Sequence, residues 1–157
     1  MVLSDSARRV QEALRACGLA GEVVELPDST RTAVEAAQAV GCRVEQIVKS
    51  LVFRGQDSGR PILIAVSGAN RVRESKVKNY VGEAIAKADA DWVRERTGYA
   101  IGGIPPVGHS EALLTLVDQD LLQYDEVWAA AGTPHAVFCL TPAELVRITG
   151  GQVVDVR

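Results

Sequence analysis

Two places in this 157-residue chain combine residue types that can do chemistry. The first is Lys49, alone among apolar neighbours in Ile47-Val48-Lys49-Ser50-Leu51-Val52-Phe53. An ammonium beside so much apolar surface either snorkels to water at a strand end or serves in a cleft. In a cleft it is a fixed cation for a carbonyl or phosphate, or a base once its pKa has fallen. The second place is Thr97-Gly98-Tyr99-Ala100-Ile101-Gly102-Gly103-Ile104-Pro105-Pro106-Val107-Gly108-His109, with four glycines and two adjacent prolines in thirteen residues. Such a segment cannot be helical, and Pro105 and Pro106 cannot donate to a sheet ladder. Glycine lets a ligand approach the main chain, and proline stiffens the bend. A loop of this kind either holds N–H groups where an acyl oxygen or oxyanion needs them, or rigidly joins two elements.

The remaining candidates are sparser. His109, just past the loop, either faces the same cleft as Lys49 or is a hydrogen-bonded structural histidine. His135 lies in the turn Gly132-Thr133-Pro134-His135 and reads as solvated. With two histidines and three distant cysteines (Cys17, Cys42, Cys139), a zinc site or a disulfide framework is not expected. No GxSxG elbow and no GxxxxGK phosphate loop is present. Trp92, Tyr99 and Trp128 are too scattered for a base-stacking platform. Arg71, Arg73, Lys76, Lys78 and Lys87 outnumber Glu74 and Glu83 in their stretch, giving either a patch for a few phosphates or a solvated helix face. A net charge of -3 argues against broad nonspecific nucleic-acid binding.

Several short elements must position these groups. Ser4 is placed to cap a helix carrying Ala7, Val10, Leu14 and Cys17 on one face, ended by Gly18. A short strand over 21–26 is closed by Pro27-Asp28-Ser29. Thr32-Ala33-Val34-Glu35 is a capping box, and the helix behind it has an almost all-alanine face, so it must pack closely. A helical turn over 44–48 leads to a strand at 49–53, a turn over 55–59 and a second strand at 61–66. The unbroken run Ile62-Leu63-Ile64-Ala65-Val66 suggests burial on both faces. A basic helix over 74–81, a strand over 83–88 and a helix capped by Asp89 precede the glycine–proline loop. A strand over 112–117, a helical turn over 121–124 and a hairpin of 127–131 with 136–140 follow it. Thr141-Pro142-Ala143-Glu144 starts a helix that Gly150 ends, before a last strand over 152–156.

Hairpins dominate and regular βαβ alternation is missing. The expectation is an α+β domain: a mixed or antiparallel sheet of six to seven strands flanked by four or five helices. At 157 residues, 47% of them hydrophobic and 24% charged, the whole chain 1–157 reads as one soluble domain. No apolar run approaches the roughly 20 residues of a membrane span. The first residues lack the basic and apolar regions of a signal peptide, so a cytoplasmic location is expected.

Three pieces, in order and spacing, resemble the YbaK-type aminoacyl-tRNA deacylases. These are free-standing relatives of the editing domain inserted in bacterial prolyl-tRNA synthetases. The pieces are Lys49-Ser50-Leu51-Val52 after an alanine-rich helix, Gly102-Gly103-Ile104-Pro105-Pro106-Val107-Gly108, and Ala130-Ala131-Gly132 before Thr141-Pro142-Ala143-Glu144-Leu145. The resemblance runs from about residue 6 to residue 156, and Pro105-Pro106-Val107-Gly108-His109 looks most similar to the single-domain branch called ProX.

The resemblance implies a compact, barrel-like mixed sheet and hydrolysis of the ester joining a wrong amino acid to the terminal ribose of tRNA. It implies no metal and no organic cofactor. By that likeness, Lys49 and the GxxxP loop, Gly102 to Pro106, frame the acyl pocket. Thr32, Ser50, Ser67, Gly68, Pro105, Pro106, His109, Gly132 and Thr133 are implied around it, with the role of His135 open. An aminoacyl ester is already activated and carries a vicinal hydroxyl, so the protein needs mainly orientation and charge stabilisation. The expected division gives backbone N–H groups of Gly102, Gly103 and Ile104 to the acyl oxygen. Lys49 then serves the carbonyl or the terminal phosphate, and Arg71, Arg73, Lys76 and Lys78 some acceptor-end phosphates. The expected partners are the acceptor end of mischarged tRNA and a synthetase, for a protein that is a monomer or a homodimer. The rival readings are an adaptor that keeps the pocket without catalysis, and a hydrolase of small esters unconnected with tRNA.

Overall fold

The computed structural model describes residues 2–157. Its centre is a hairpin of two long strands, β2 (Ile47–Gly55) and β3 (Pro61–Ser67). They pair in antiparallel register from Val48↔Ser67 to Arg54↔Pro61. Every residue of β3 is buried. Successive side chains of a strand point to opposite faces, and here the two faces meet different cores. Leu63 and Ala65 join a large core with Ala7, Val10 and Leu14 of α1 (Asp5–Ala16), Val93 of α4 (Ala90–Thr97) and Leu145 of α5 (Pro142–Thr149). Ile62, Ile64 and Val66 join a second core under Val77 and Val81 of α3 (Glu74–Val81). The unbroken apolar run thus marks a strand buried on both faces.

Around this hairpin the strands lie in the order β1-β7-β6-β2-β3-β5-β8. The outer members are β1 (Val24–Glu25), β5 (Leu114–Asp118), β6 (Val127–Ala130), β7 (Ala136–Leu140) and β8 (Gln152–Val154). β4 (Ile85–Lys87) pairs with the far end of β2. The sheet is mixed: β2–β6, β3–β5 and β5–β8 are parallel, and the other pairings antiparallel. Among the described residues there are eight strands against the six to seven expected, flanked by five helices. Three expected strands shrink to their hydrogen-bonded middles. The 21–26 strand is only Val24–Glu25, 83–88 is only Ile85–Lys87, and 152–156 is only Gln152–Val154, because each meets just one neighbour there.

Helix limits follow their caps closely. Thr32 accepts from the Glu35 N–H at 3.1 Å, the Glu35 carboxylate reaches back to the Thr32 N–H at 3.2 Å, and Gly41 ends α2 (Ala33–Val40) with a φ of 76°. The alanine face of α2 closes a small third cluster, Ala36 and Ala37 on Ile47, with Trp128 at its rim. Among the described residues no helix is long and apolar enough to cross a membrane.

Candidate active site

The site arises where the central strand loses a neighbour. On the edge of β2 away from β3, β6 pairs only with Ile47 and Val48, and β4 only with Phe53, Arg54 and Gly55. Residues 49–52 therefore have no strand beside them on that edge. A cleft of about 620 Å³ opens at this gap. Its walls are residues 47–51 of β2, the start of α2 with residues 29–31 before it, Trp128, Ala129 and Ala130 of β6, and Ile101, Gly102 and Ile104 of the glycine–proline loop. Lys49 and that loop, some fifty positions apart in sequence, border one cavity.

The Lys49 ammonium donates to the Asn70 carbonyl at 2.6 Å. An ammonium carries three donors, so two remain for a ligand. Burial, and then the guanidinium of Arg71, hold its pKa below the ordinary lysine value, while Asp118 pulls the other way. Beside it, the Ser50 hydroxyl is buried without a partner, as is that of Thr30 in the opposite wall.

The loop is braced from behind. The Tyr99 hydroxyl donates to the Gly108 carbonyl at 2.7 Å, and His109 Nε2 donates to the Pro105 carbonyl at 2.7 Å. His109 stands edge-on to the Tyr99 ring, its Nδ1 buried and unpartnered. Burial pushes the His109 pKa down from its ordinary value, partly offset by the Pro105 carbonyl, with Arg9 adding to the depression. Gly102 has a φ of 94°, a backbone closed to most other residues. The Gly103 N–H is committed to the Ala100 carbonyl at 3.0 Å, and the Gly103 carbonyl receives the Gly132 N–H at 2.8 Å. The N–H groups of Gly102 and Ile104 make no hydrogen bond among the described residues.

Of the residues singled out by sequence, Thr32, Lys49, Ser50, Gly102 and Ile104 line the cleft, and the others do not. Gly103 packs on the backbone of Thr133, and Gly132 on Ser6. Pro105 and Pro106 are buried, and His109 braces the loop rather than facing the cavity. Ser67 donates to the Glu45 carbonyl at 2.7 Å, and Gly68 lies against the Val44 carbonyl, so both fix the turn entering β2. Arg71, Arg73 and Lys78 are exposed, but Lys76 is tied to Asp155 and to the Arg157 carbonyl. His135, in its hairpin turn, is exposed and bonds the Asp28 carbonyl through Nδ1 at 3.0 Å. Thr30, Arg31 and Trp128 of the walls, and Asn70 beneath Lys49, carry no motif that sequence reading could have caught. Among the described residues no three His, Cys, Asp or Glu side chains are grouped as a metal would need.

The family model for the aminoacyl-tRNA editing domain matches residues 27–148, a span that holds every wall of this cleft. The chain belongs to that family. It is 31% identical over 136 residues to the uncharacterized protein YwhH of Bacillus subtilis, covering 86% of each chain. A solved structure named "putative trans-editing enzyme for prolyl tRNA synthetase" superposes with a TM-score of 0.94 at 56% identity, over 99% of both chains. The "Putative Cys-tRNA(Pro)/Cys-tRNA(Cys) deacylase EbsC" of Enterococcus faecalis is 24% identical over 126 residues, 80% of this chain and 76% of that one.

Proposed function

We propose that the protein deacylates mischarged aminoacyl-tRNA in trans, acting on tRNA for proline that carries a small wrong amino acid: alanine, cysteine, serine or threonine. Water attacks the acyl carbonyl, the bond to the ribose oxygen breaks, and that oxygen takes the proton. In this reading the N–H groups of Gly102 and Ile104 receive the acyl oxygen as its charge grows. The Lys49 ammonium holds the ester or the terminal phosphate from the other wall, and the vicinal hydroxyl of the ribose positions the water. The protein contributes orientation and fixed charge, which suffice for an ester already activated.

The observation that carries the reading is that Lys49, Gly102 and Ile104 line one cavity in a chain of the editing family. Incubating the purified protein with proline tRNA charged with each of these amino acids tests it by loss of the ester. Lys49→Ala is expected to lower the rate by about 10²–10³, the usual loss for one charge-stabilising contact. A rate close to that of the parent protein removes Lys49 from the reaction. Binding of the tRNA without ester loss would favour the adaptor, and equal hydrolysis of simple aminoacyl esters the small-ester hydrolase.

A further inference from the structure

The partner of the Lys49 amine lies in the turn after β3, and that turn is governed from the end of β5. Asn70 closes the turn with its own N–H on the Ser67 carbonyl at 2.9 Å. Asp118, 1% exposed, accepts the Ser67 N–H at 3.0 Å and the Asn70 side-chain amide at 2.8 Å on one oxygen. Its other oxygen takes the Asp120 N–H at 2.9 Å. The Asn70 amide also donates to Asp120 at 2.8 Å, and Arg157 meets that carboxylate at 3.2 Å. The parallel register Ala65↔Val117 brings β5 alongside β3 and so delivers Asp118 to the turn. A neutral acceptor could satisfy the same N–H groups. A carboxylate without access to water is costly to bury, and what it adds over a neutral group is charge.

We propose that Asp118 is the positioning residue for the Lys49 ammonium, fixing through Asn70 the carbonyl that receives the amine and countering the positive charge gathered there. The inference rests on the reading that Lys49 works in the cleft. Arg71 on the turn repels the amine, and burial disfavours its charge, against the pull of Asp118. Asp120 is already met by Arg157. Across the cleft stand Arg31 and Glu35, the latter held by Thr32 and Ser29. Removing the Asp118 charge therefore leaves the ammonium with less support, and its pKa falls.

NMR titration of the Lys49 side chain, its signal identified by loss in Lys49→Gln, reads this directly in the full chain. In Asp118→Asn the Lys49 pKa is expected to drop, as it does when a nearby opposite charge is lost. The alkaline limb of the deacylation pH profile moves down with it. An unmoved Lys49 titration and an unmoved limb overturn the proposal. Should Asp118→Asn fail to fold, Asn70→Ala carries the test, because it leaves Asp118 its two backbone partners and frees only the turn. The expected result is about 10²-fold lower kcat with KM little changed, as for a misplaced group, and faster proton exchange from the Lys49 ammonium. Wild-type kcat and exchange overturn the proposal. If the parent protein removes no amino acid from tRNA while Lys49 still responds to Asp118→Asn, the reaction assignment fails and the positioning role stands.

Discussion

At the scale of single residues, side-chain isolation and glycine–proline density made the two poles of the cleft legible. Lys49 stood out because nothing near it in sequence is charged, and the 102–108 bend because no regular element accepts it. Asn70 and Asp118 did not, because they lie 48 positions apart and meet only through the pairing of β3 with β5. His109 was readable as either cleft or scaffold, and the Pro105 carbonyl on its Nε2 places it in the scaffold. Its depressed pKa means that the unfolded chain binds a proton more readily than the folded one. The stability present above the unfolded value of about 6.5 is therefore lost as pH falls toward the lower folded value. Urea unfolding between about pH 7.5 and about pH 5.5 should show this loss, and His109→Gln should flatten it; an equal acid-side loss in the variant would clear His109. Gly103 gives a sharper test of the brace. A methyl there would lie 2.8 Å from the Thr133 backbone, so the two loops must part. Gly103→Ala is expected to cost about 1–3 kcal/mol, measured as a lowered denaturant midpoint.

At the scale of elements, ends marked by side-chain chemistry were legible and ends set by pairing were not. Thr32 with Glu35, Asp89, and Thr141 with Glu144 each begin a helix where the sequence puts the cap. The strand over 21–26 fails this rule because only Val24 and Glu25 find partners on β7. The gap beside β2 was invisible for the same reason, since it exists only through what β6 and β4 leave unpaired. The two threonine capping boxes permit a controlled comparison. Thr32→Ala and Thr141→Ala each remove an N-cap hydroxyl and should each cost about 1 kcal/mol. Only α2 walls the cleft. Deacylation by the Thr32 variant should fall well below that of the Thr141 variant at matched stability; equal activities would show that the start of α2 does not shape the site.

At the scale of the molecule, the question is how an acidic protein meets tRNA. The formal charge of -3 disfavours a polyanion as a whole, so the proposed tRNA binding calls for a few local cations rather than the global field. The exposed cations nearest in sequence to the Lys49 turn are Arg71 and Arg73, with Lys78 on the following helix. The Arg71 guanidinium helps hold the Lys49 pKa down, after burial, so Arg71 is a neighbouring charge of the Lys49 amine. Lys76 differs from them because it is spent on Asp155 and the Arg157 carbonyl, holding α3 to the segment after β8. The four basic residues that sequence reading grouped therefore divide by environment, with Lys76 paired and Arg71, Arg73 and Lys78 exposed. Arg71→Glu should weaken tRNA binding, and neutralising Arg71 should flatten the plot of log affinity against log salt by about one phosphate's worth. Lys76→Gln should leave that slope nearly unchanged and lower stability by no more than about 1 kcal/mol, the range for an exposed ion pair. Salt titrations of both variants with the same proline tRNA decide the matter. Equal slopes for the Arg71 variant and the parent protein would remove Arg71 from the proposed tRNA contact.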